Sequence, residues 1–154
     1  MKPKQQDEKR ILKKIKDADG KEYTVYIKEK KLNSQAKVTT ITIENEEGKQ
    51  VTTASLLETK NKGRKNARIM NVETKEQYRN QGFADTVLGF VEQEALIKGY
   101  KKVDLISVNQ RSNLMYSKRD YKIVTGAMDR ASKFVKKITP ANFIDRIKVR
   151  KLKR

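Results

Sequence analysis

A candidate anion-binding turn lies near the middle of the chain, within the stretch QYRNQGFADTVLGFVEQEALIKG, residues 77–99. Arg79 is followed after two spacers by Gly82, and Gly82 after one spacer by Ala84, before a long amphipathic run. Glycine has no Cβ, so the backbone can turn sharply at Gly82 and come close to a ligand. The first N–H groups of a following helix have no partner within the helix, and the helix dipole adds partial positive charge. The spacing therefore predicts a phosphate or pyrophosphate site.

By itself this glycine turn is a weak signal. A glycine before a helix is more often only a turn. The stretch has no Gly-Lys-Ser/Thr sequence of a P-loop, and it lacks the three glycines of a dinucleotide fingerprint. A second motif is needed before the turn can be assigned to a ligand.

The chain contains no histidine and no cysteine. Disulfides, thiolate metal sites and cysteine nucleophiles are therefore excluded. The commonest general base and the commonest zinc ligand are absent as well. Acid–base chemistry must use carboxylates, tyrosines, lysines or ordered water.

The formal net charge of the chain is +18. Residues 1–16 carry seven basic and two acidic side chains, and residues 139–154 carry six basic and one acidic. Such a charge predicts attraction to a polyanion, whether nucleic acid, the ribosome or an acidic protein, with nucleic acid or the ribosome contacted through the basic ends. The alternative is that the basic residues only solvate the surface. No stretch has the apolar length of a secretory signal or a membrane span, so the sequence predicts a soluble cytoplasmic protein without membrane contact.

The first half of the chain has the alternating pattern of strands, and the second half has that of a helix. Two hairpins are expected, the first from RILKKIK and EYTVYIKEK and the second from KVTTITIEN and QVTTASLLET. Lys60–Ala67 is expected to be a polar loop. From Phe83 to a C-cap glycine at Gly99, apolar residues recur at helical spacing. Strand, helix and strand over residues 68–108 predict a βαβ unit with two parallel strands.

The chain length indicates a single domain, which is expected over residues 1–138. Residues 139–154 are expected to form a short helix, starting at Thr139 before Pro140, and a basic tail. No internal repeat interrupts this organisation.

A second motif follows the predicted βαβ unit, in NQRSNLMYSKRDY, residues 109–121. Together with the glycine turn, it resembles the motifs of the GNAT superfamily of acetyl-CoA-dependent N-acetyltransferases. The glycine motif of that family, Gln/Arg-x-x-Gly-x-Gly/Ala, stands here as Arg79, Gly82 and Ala84. The later family motif is matched by Asn109, Ser112, Met115, Tyr116, Lys118 and Tyr121, with Asp120 where the family usually has glycine. The resemblance covers residues 67–125.

The resemblance implies an α+β (α/β) fold, with a GNAT-like mixed, mostly antiparallel sheet splayed around a central βαβ unit. Acetyl-CoA would lie between the strands at Ile69–Thr74 and Val103–Val108 and would leave as CoA, and no metal is required. The turn would bind the pyrophosphate, backbone of the first strand would bind the pantetheine arm, and Asn109 would cap the next helix and orient cosubstrate or water. The residues implied for cosubstrate binding are Val72, Thr74, Arg79, Gln81, Gly82, Phe83, Ala84, Asn109 and Ser112.

The resemblance also implies a catalytic role for Tyr116. A tyrosine hydroxyl is a suitable general acid for a leaving thiolate, because its pKa of about 10 is close to that of an aliphatic thiol. The alternative is that Tyr116 only packs its ring on the sheet. Glu58, Glu73 and Asp104 are carboxylates near the expected cleft, but strand alternation assigns none of them as the base, and a water chain is equally plausible.

The acceptor is expected to be the primary amine of a protein or peptide rather than of a small molecule. GNAT proteins usually have two helices after their first strand, whereas here only KLNSQA separates the strand at Glu22–Lys30 from the next hairpin. The acceptor side is therefore expected to be open, in a monomer or a homodimer. Two alternatives remain at this stage: a basic module that binds nucleic acid or the ribosome, and a catalytically silent acyl-CoA binder.

Overall fold

The computed structural model describes residues 9–107, 110–127 and 131–138 of the chain. These residues form an eight-stranded sheet, two α-helices and a short 3-10 helix at Glu76–Tyr78. No described helix is long and apolar enough to cross a membrane. The strands are β1 (Lys9–Lys16), β2 (Glu22–Asn33), β3 (Ala36–Glu44), β4 (Gln50–Asn61), β5 (Arg64–Thr74), β6 (Lys102–Ser107), β7 (Lys122–Thr125) and β8 (Ser132–Lys137), and the helices are α1 (Phe83–Ile97) and α2 (Gln110–Lys118).

The sheet has the strand order β1-β2-β3-β4-β5-β6-β8-β7. The first five strands form an antiparallel meander, in which each strand pairs with the next one along the chain. β5 and β6 are parallel and are connected by α1. β8 pairs antiparallel with both β6 and β7. The prediction of a mixed, mostly antiparallel sheet with a central βαβ unit is confirmed.

One face of the sheet, the helix face, is apolar and carries both helices. Cross-strand partners project to the same face of a sheet, and a row of such partners crosses six strands here. α1 packs against β3, β4, β5 and β6, and α2 places the Tyr116 ring 5.9 Å from the Phe134 ring. The row consists of Thr39, Leu56, Ile69, Leu105, Phe134 and Ile123, of which the first five are buried.

Helix α1 is amphipathic, as its sequence predicts. Val87, Val91 and Ala95 recur at intervals of four and are fully buried. The helix ends at the predicted glycine: Gly99 has φ 96° and donates its N–H to Leu96 O, while Tyr100 N–H reaches back to Ala95 O. This pair of hydrogen bonds is a Schellman motif, which needs a left-handed residue and therefore favours glycine.

One prediction for the strands is wrong, and one strand was not predicted. Lys60–Ala67 is not a loop, because β4 and β5 continue through it and are joined by the two-residue turn Lys62–Gly63, with φ 53° and 79°. A two-residue hairpin needs positive φ at such positions, and lysine rarely adopts it, so the turn was not recognisable. β8 was not predicted, because its Lys136 is buried where an apolar residue is expected. The predicted helix at Thr139 and the basic tail lie outside the described residues.

A buried carboxylate connects the two helices and β8. Glu92 of α1 is 3% exposed, and its two oxygens each accept a hydrogen bond of 3.0 Å from the guanidinium of Arg119. Lys136 Nζ lies 3.0 Å from Glu92 Oε1, and Tyr121 Oη donates to Oε2 at 2.7 Å. Arg119 also donates to Asp85 in the first turn of α1. Burial by itself would raise the pKa of Glu92, but Arg119 and then Lys136 hold it below its usual value.

Replacing Glu92 with glutamine should lower the free energy of unfolding by about 3 kcal/mol or more. The side chain keeps its shape, but the buried Arg119 and Lys136 lose a shared counter-charge. The measurement is urea denaturation at pH 7. Glu94→Gln is the control, because burial raises the pKa of Glu94, so removal of its charge should not destabilise the fold. Equal losses in the two variants would contradict the role of the Glu92 charge.

The contribution of Glu92 also has a defined pH dependence. Because its folded-state pKa lies below the unfolded-state value of about 4.3, the stabilisation is fully present above that value. It is lost as the pH falls through the folded-state pKa. The difference in unfolding free energy between wild type and Glu92→Gln should therefore be constant from about pH 6 to 8 and shrink below about pH 4. An undiminished difference at pH 3 would argue against this assignment.

Candidate active site

The parallel strands β5 and β6 separate soon after they meet. Their register contains the pairs Arg68–Asp104 and Ile69–Leu105. Beyond these pairs β5 stays with β4 as far as Thr74, whereas β6 stays with β8 as far as Ser107. The gap between the two strands, the β5–β6 opening, matches the predicted splay of the sheet. It exposes strand edges whose backbone groups would otherwise pair with each other.

A β-bulge shapes the β5 side of this opening. Asn71 and Val72 together lie opposite Ala54, because the register shifts between Thr53 and Ser55 of β4. Asn71 has φ 56°, a left-handed conformation that asparagine tolerates better than most residues. Bulges interrupt the regular hydrogen bonding of a strand and redirect its backbone. Val72, which was predicted to bind the pantetheine arm, lies in the bulge itself.

Thr74 turns its backbone away from β4. Glu73 O accepts a hydrogen bond from a β4 threonine, and Lys75 N–H donates to Val51 O, so the residue between them faces the opposite edge. That edge borders the β5–β6 opening. Arg79 occupies part of it, since its Nε donates to Thr74 O at 3.0 Å. Arg79 was predicted to supply charge to an anion, and the structure shows that it also connects the glycine turn to β5.

Gly82 has the conformation that the predicted turn requires. Its φ is 89°, it caps the N-terminus of α1, and no side chain caps the helix. The first intrahelical bond of the cap is from Thr86 N–H to Gly82 O, so the N–H groups of Phe83 and Ala84 precede the intrahelical hydrogen bonds of α1. A Cβ placed on Gly82 would meet no atom within 4 Å. Several N–H donors beside open space are the donor set that a pyrophosphate needs.

The other predicted residues of the turn have distinct positions. Phe83 is 2% exposed, and its ring packs edge-on against Tyr23 and Tyr78, with centroids 5.0 and 5.6 Å apart. Only the backbone of Phe83 is therefore available to a ligand. Ala84 is half-buried. Gln81 donates its side-chain Nε2 to Gln77 O at 3.2 Å, which tightens the turn.

Tyr116 lies in α2 and is 6% exposed. Its ring packs against Tyr121 and Phe134, so the ring has the packing role that was considered as the alternative. Burial raises the pKa of Tyr116 to about 12, and the hydroxyl therefore keeps its proton at neutral pH. Ser112 is half-buried one α-helical turn earlier. Asn109 lies outside the described residues.

Asp120 stands where the second motif usually has glycine, and its backbone conformation explains why aspartate fits there. Its φ is 76°, so this position takes a left-handed conformation, which glycine adopts freely and aspartate tolerates. The turn places Arg119 and Tyr121 on Glu92. The Arg119–Glu92 pair was not predicted, because its partners are 27 residues apart and each is an ordinary charged residue in sequence.

None of the candidate carboxylates is placed as a general base. Asp104 is paired with Arg68 at 2.7 Å. Glu58 accepts from Tyr100 Oη at 3.1 Å and lies 3.7 Å from Lys98 Nζ. Glu73 is exposed. Among the described residues, no group of three or more acidic side chains could hold a metal ion.

Solved structures of low sequence identity share this fold. An acetyltransferase from Bacillus cereus ATCC 14579 superposes with a TM-score of 0.58 at 19% identity, over 67% of this chain and 74% of that one. A GNAT-family acetyltransferase from Staphylococcus aureus Mu50 gives 0.56 at 12% identity, over 66% and 68%. The PaiA N-acetyltransferase from Thermoplasma acidophilum, in complex with coenzyme A, gives 0.55 at 16% identity, over 66% and 61%.

The sequence itself matches a family model that covers both motifs. A search of curated protein sequences gives no significant match. The model described as the acetyltransferase (GNAT) family matches residues 8–121, which include the glycine turn, α1 and Tyr116. The chain therefore belongs to the GNAT family of acetyltransferases, which use acetyl-CoA as the acyl donor.

Proposed function

We propose that this acetyltransferase transfers the acetyl group to a primary amine of a protein or peptide. The observation that carries the proposal is the β5–β6 opening with the Gly82 turn at its diverging end. Arg79 links the two, since it lies in the turn and donates to Thr74 O on the edge of β5. This arrangement fits a ligand that has an anionic group and an extended arm. The N–H donors of the turn would bind the anion, and the strand edge would bind the arm.

The residues of this chain divide the binding between them. Backbone N–H groups of Gly82, Phe83 and Ala84 would hold the pyrophosphate, and the strand edge at Val72 and Thr74 would orient the pantetheine arm. Acetyl-CoA supplies an acetyl group that is activated as a thioester. The open space at the Gly82 Cβ position is the fit expected for a ligand that approaches the backbone closely.

Tyr116 is the proposed proton donor. Its pKa of about 12 keeps a proton on Oη throughout the neutral range, and Oη transfers that proton to the sulfur that leaves the acetyl group. Asp104 and Glu58 are already engaged in ion pairs, and Glu73 is exposed to solvent. The proton of the acceptor amine is therefore assigned to water.

The acceptor is proposed to be macromolecular because the sheet leaves its acceptor side open. β2 ends at Asn33 and β3 begins at Ala36, so only Ser34 and Gln35 connect them. This two-residue connection contains no helix. Without such helices this connection cannot form the wall of a small enclosed pocket.

Gly82→Val should weaken acetyl-CoA binding at least a hundredfold, since a branched side chain would fill the space where the ligand meets the turn. Gly48→Val is the matched control. Gly48 also has a positive φ, 80°, and open space at its Cβ position, but it lies in the β3–β4 turn. Both variants should lose about 1–2 kcal/mol of stability from backbone strain. Calorimetric titration with acetyl-CoA measures the difference. Wild-type affinity in Gly82→Val would show that the site is elsewhere.

Tyr116→Phe should lower turnover about a hundredfold while acetyl-CoA affinity and stability stay near wild type. The change removes a proton donor and almost no packing surface. Release of CoA is followed with polyamines and with lysine-containing peptides as acceptors. Tyr100→Phe is the control, because burial and Glu58 also raise the pKa of Tyr100 to about 12, at a position outside the site. Unchanged turnover in Tyr116→Phe would assign the proton to another group. Tight binding without any turnover would identify a silent binder.

A further inference from the structure

The face of the sheet opposite the two helices, the open face, has no described element packed over it. Its residues alternate with those of the helix face and form cross-strand pairs across β3 and β4. Most of them are half-buried among their neighbours. The open-face centre consists of Val38, Thr40 and Thr42 on β3 and Thr53, Ser55 and Leu57 on β4.

The open-face centre can be covered at little cost in hydrogen bonding. Thr40 Oγ1 and Ser55 Oγ lie 2.9 Å apart, and Thr42 Oγ1 and Thr53 Oγ1 lie 3.1 Å apart. These hydroxyls therefore satisfy one another across the strands. Each of these hydroxyls would keep at least one hydrogen bond if a partner excluded water from it. Beside the hydroxyls, Val38 and Leu57 form an apolar pair.

The border of the open face is basic. Lys28 pairs with Thr40 and Lys30 with Val38, so both lysines project beside the open-face centre, and both are exposed. Two of the acidic side chains on this face are paired: Glu44 lies 2.7 Å from Lys9 Nζ, and Asp104 lies 2.7 Å from Arg68 Nε. Glu22 and Glu73 also project to this face, as cross-strand partners of Lys16 and Thr53, and both are exposed. The surface thus combines a centre that a partner could cover with two exposed lysines, Lys28 and Lys30, at its edge.

We infer that the open face docks an acidic amphipathic helix of the acceptor protein. The inference rests on the proposed function and names the recognition element of its acceptor. Sheets are normally covered by helices on an apolar face, and five strands spaced by about 4.8 Å give a width of about 24 Å, enough for a helix of about 16 residues. Its apolar stripe would lie on the open-face centre and its carboxylates beside Lys28 and Lys30.

Docking there would hold the acceptor next to the β5–β6 opening. Met70 pairs with Ser55 of the open-face centre and directly precedes the bulge. Across the opening, Ile106 of β6 pairs with Lys133 and is 54% exposed. The open face is therefore continuous with both sides of the opening, and an amine on the docked protein needs no separate tunnel to reach it.

Charge argues against the other occupants. A second copy would present the same basic face, and residues 139–154 carry six basic and one acidic side chain. Single-stranded nucleic acid usually needs aromatic rings for base stacking. Tyr26 is the aromatic residue that the described strands place on this face, and Lys9 Nζ already lies 4.4 Å from its ring centroid.

The test uses an 18-residue fluorescent helical peptide with leucines on one side, glutamates on the other and one lysine near its end. A second peptide has arginine in place of each glutamate. Fluorescence anisotropy should show that wild type binds the acidic peptide at least tenfold more tightly than the arginine peptide. The double variant Lys28→Glu/Lys30→Glu should weaken acidic-peptide binding at least tenfold. The control Lys60→Glu/Lys65→Glu makes the same charge change on a cross-strand pair that projects to the helix face, and its affinity should stay within threefold of wild type.

Each outcome of the binding and acetylation measurements either supports or overturns the docking of an acidic helix on the open face. Equal affinity for the two peptides, or equal loss in the two double variants, would overturn the inference. Acetylation of lysine peptides regardless of their charge would support the proposed function while overturning this docking site. A peptide that binds through Lys28 and Lys30 but is never acetylated would overturn the acceptor role, and calorimetry with acetyl-CoA would then show whether the proposed function fails with it.

The remaining occupants give distinct results. A 12-nucleotide single-stranded RNA that binds more tightly than the acidic peptide, and is lost in Lys28→Glu/Lys30→Glu, would assign the face to nucleic acid. A wild-type dimer in sedimentation that this variant dissociates would assign it to a second copy. Tighter peptide binding by Ile144→Asp/Ile147→Asp would assign it to the C-terminal segment of the chain itself. Any of these three results overturns the inference.

Discussion

The geometry of the site depends on the ion pairs and hydrogen bonds of the buried Glu92 carboxylate. It lies in α1, yet the groups that hold it come from the turn after α2 and from β8, so one buried side chain joins three separate parts of the chain. Arg119 also reaches Asp85, in the turn of α1 that follows Gly82. The first turn of α1 and the end of α2, the helix that carries Tyr116, are therefore joined by one network. Because such a network is costly to desolvate, its value lies in specifying one arrangement more than in adding stability.

The β5–β6 opening follows from a simple conflict in pairing. Two parallel strands begin side by side, but each has a second neighbour that it follows further, β4 for β5 and β8 for β6. Beyond Ile69 and Leu105, the backbone groups of β5 and β6 consequently do not pair with each other. In most sheets such edges are covered or paired. Here the bulge at Asn71–Val72 and the bond from Arg79 to Thr74 adapt the β5 edge, and the remaining groups are available to an extended ligand.

The sequence was sufficient for features that rest on local periodicity. The hairpins β1–β2 and β3–β4, α1 with its Gly99 cap, and the βαβ unit all show in the local spacing of apolar and turn-forming residues. Two short motifs predicted the glycine turn and the role of Tyr116. Features that depend on distant partners could not be found in this way. Lys136 looks like a solvent-exposed residue until Glu92 is placed beside it, and Asn71 looks like an ordinary strand residue until its pairing with β4 is known. The Lys62–Gly63 turn was missed for a local reason, since lysine is not typical of a position that requires positive φ.

The order of the strands also has a consequence for how the chain folds. β1 to β5 pair only with their neighbours in sequence, and the turns between them are short, so little chain entropy is lost in closing each loop. The Arg68–Asp104 pair, by contrast, joins residues 36 positions apart and cannot form until α1 has crossed the sheet. Contacts of large sequence separation form slowly and late. We therefore expect the meander to fold first as a template, and the β5–β6 opening, the proposed ligand site, to be completed in the last kinetic step.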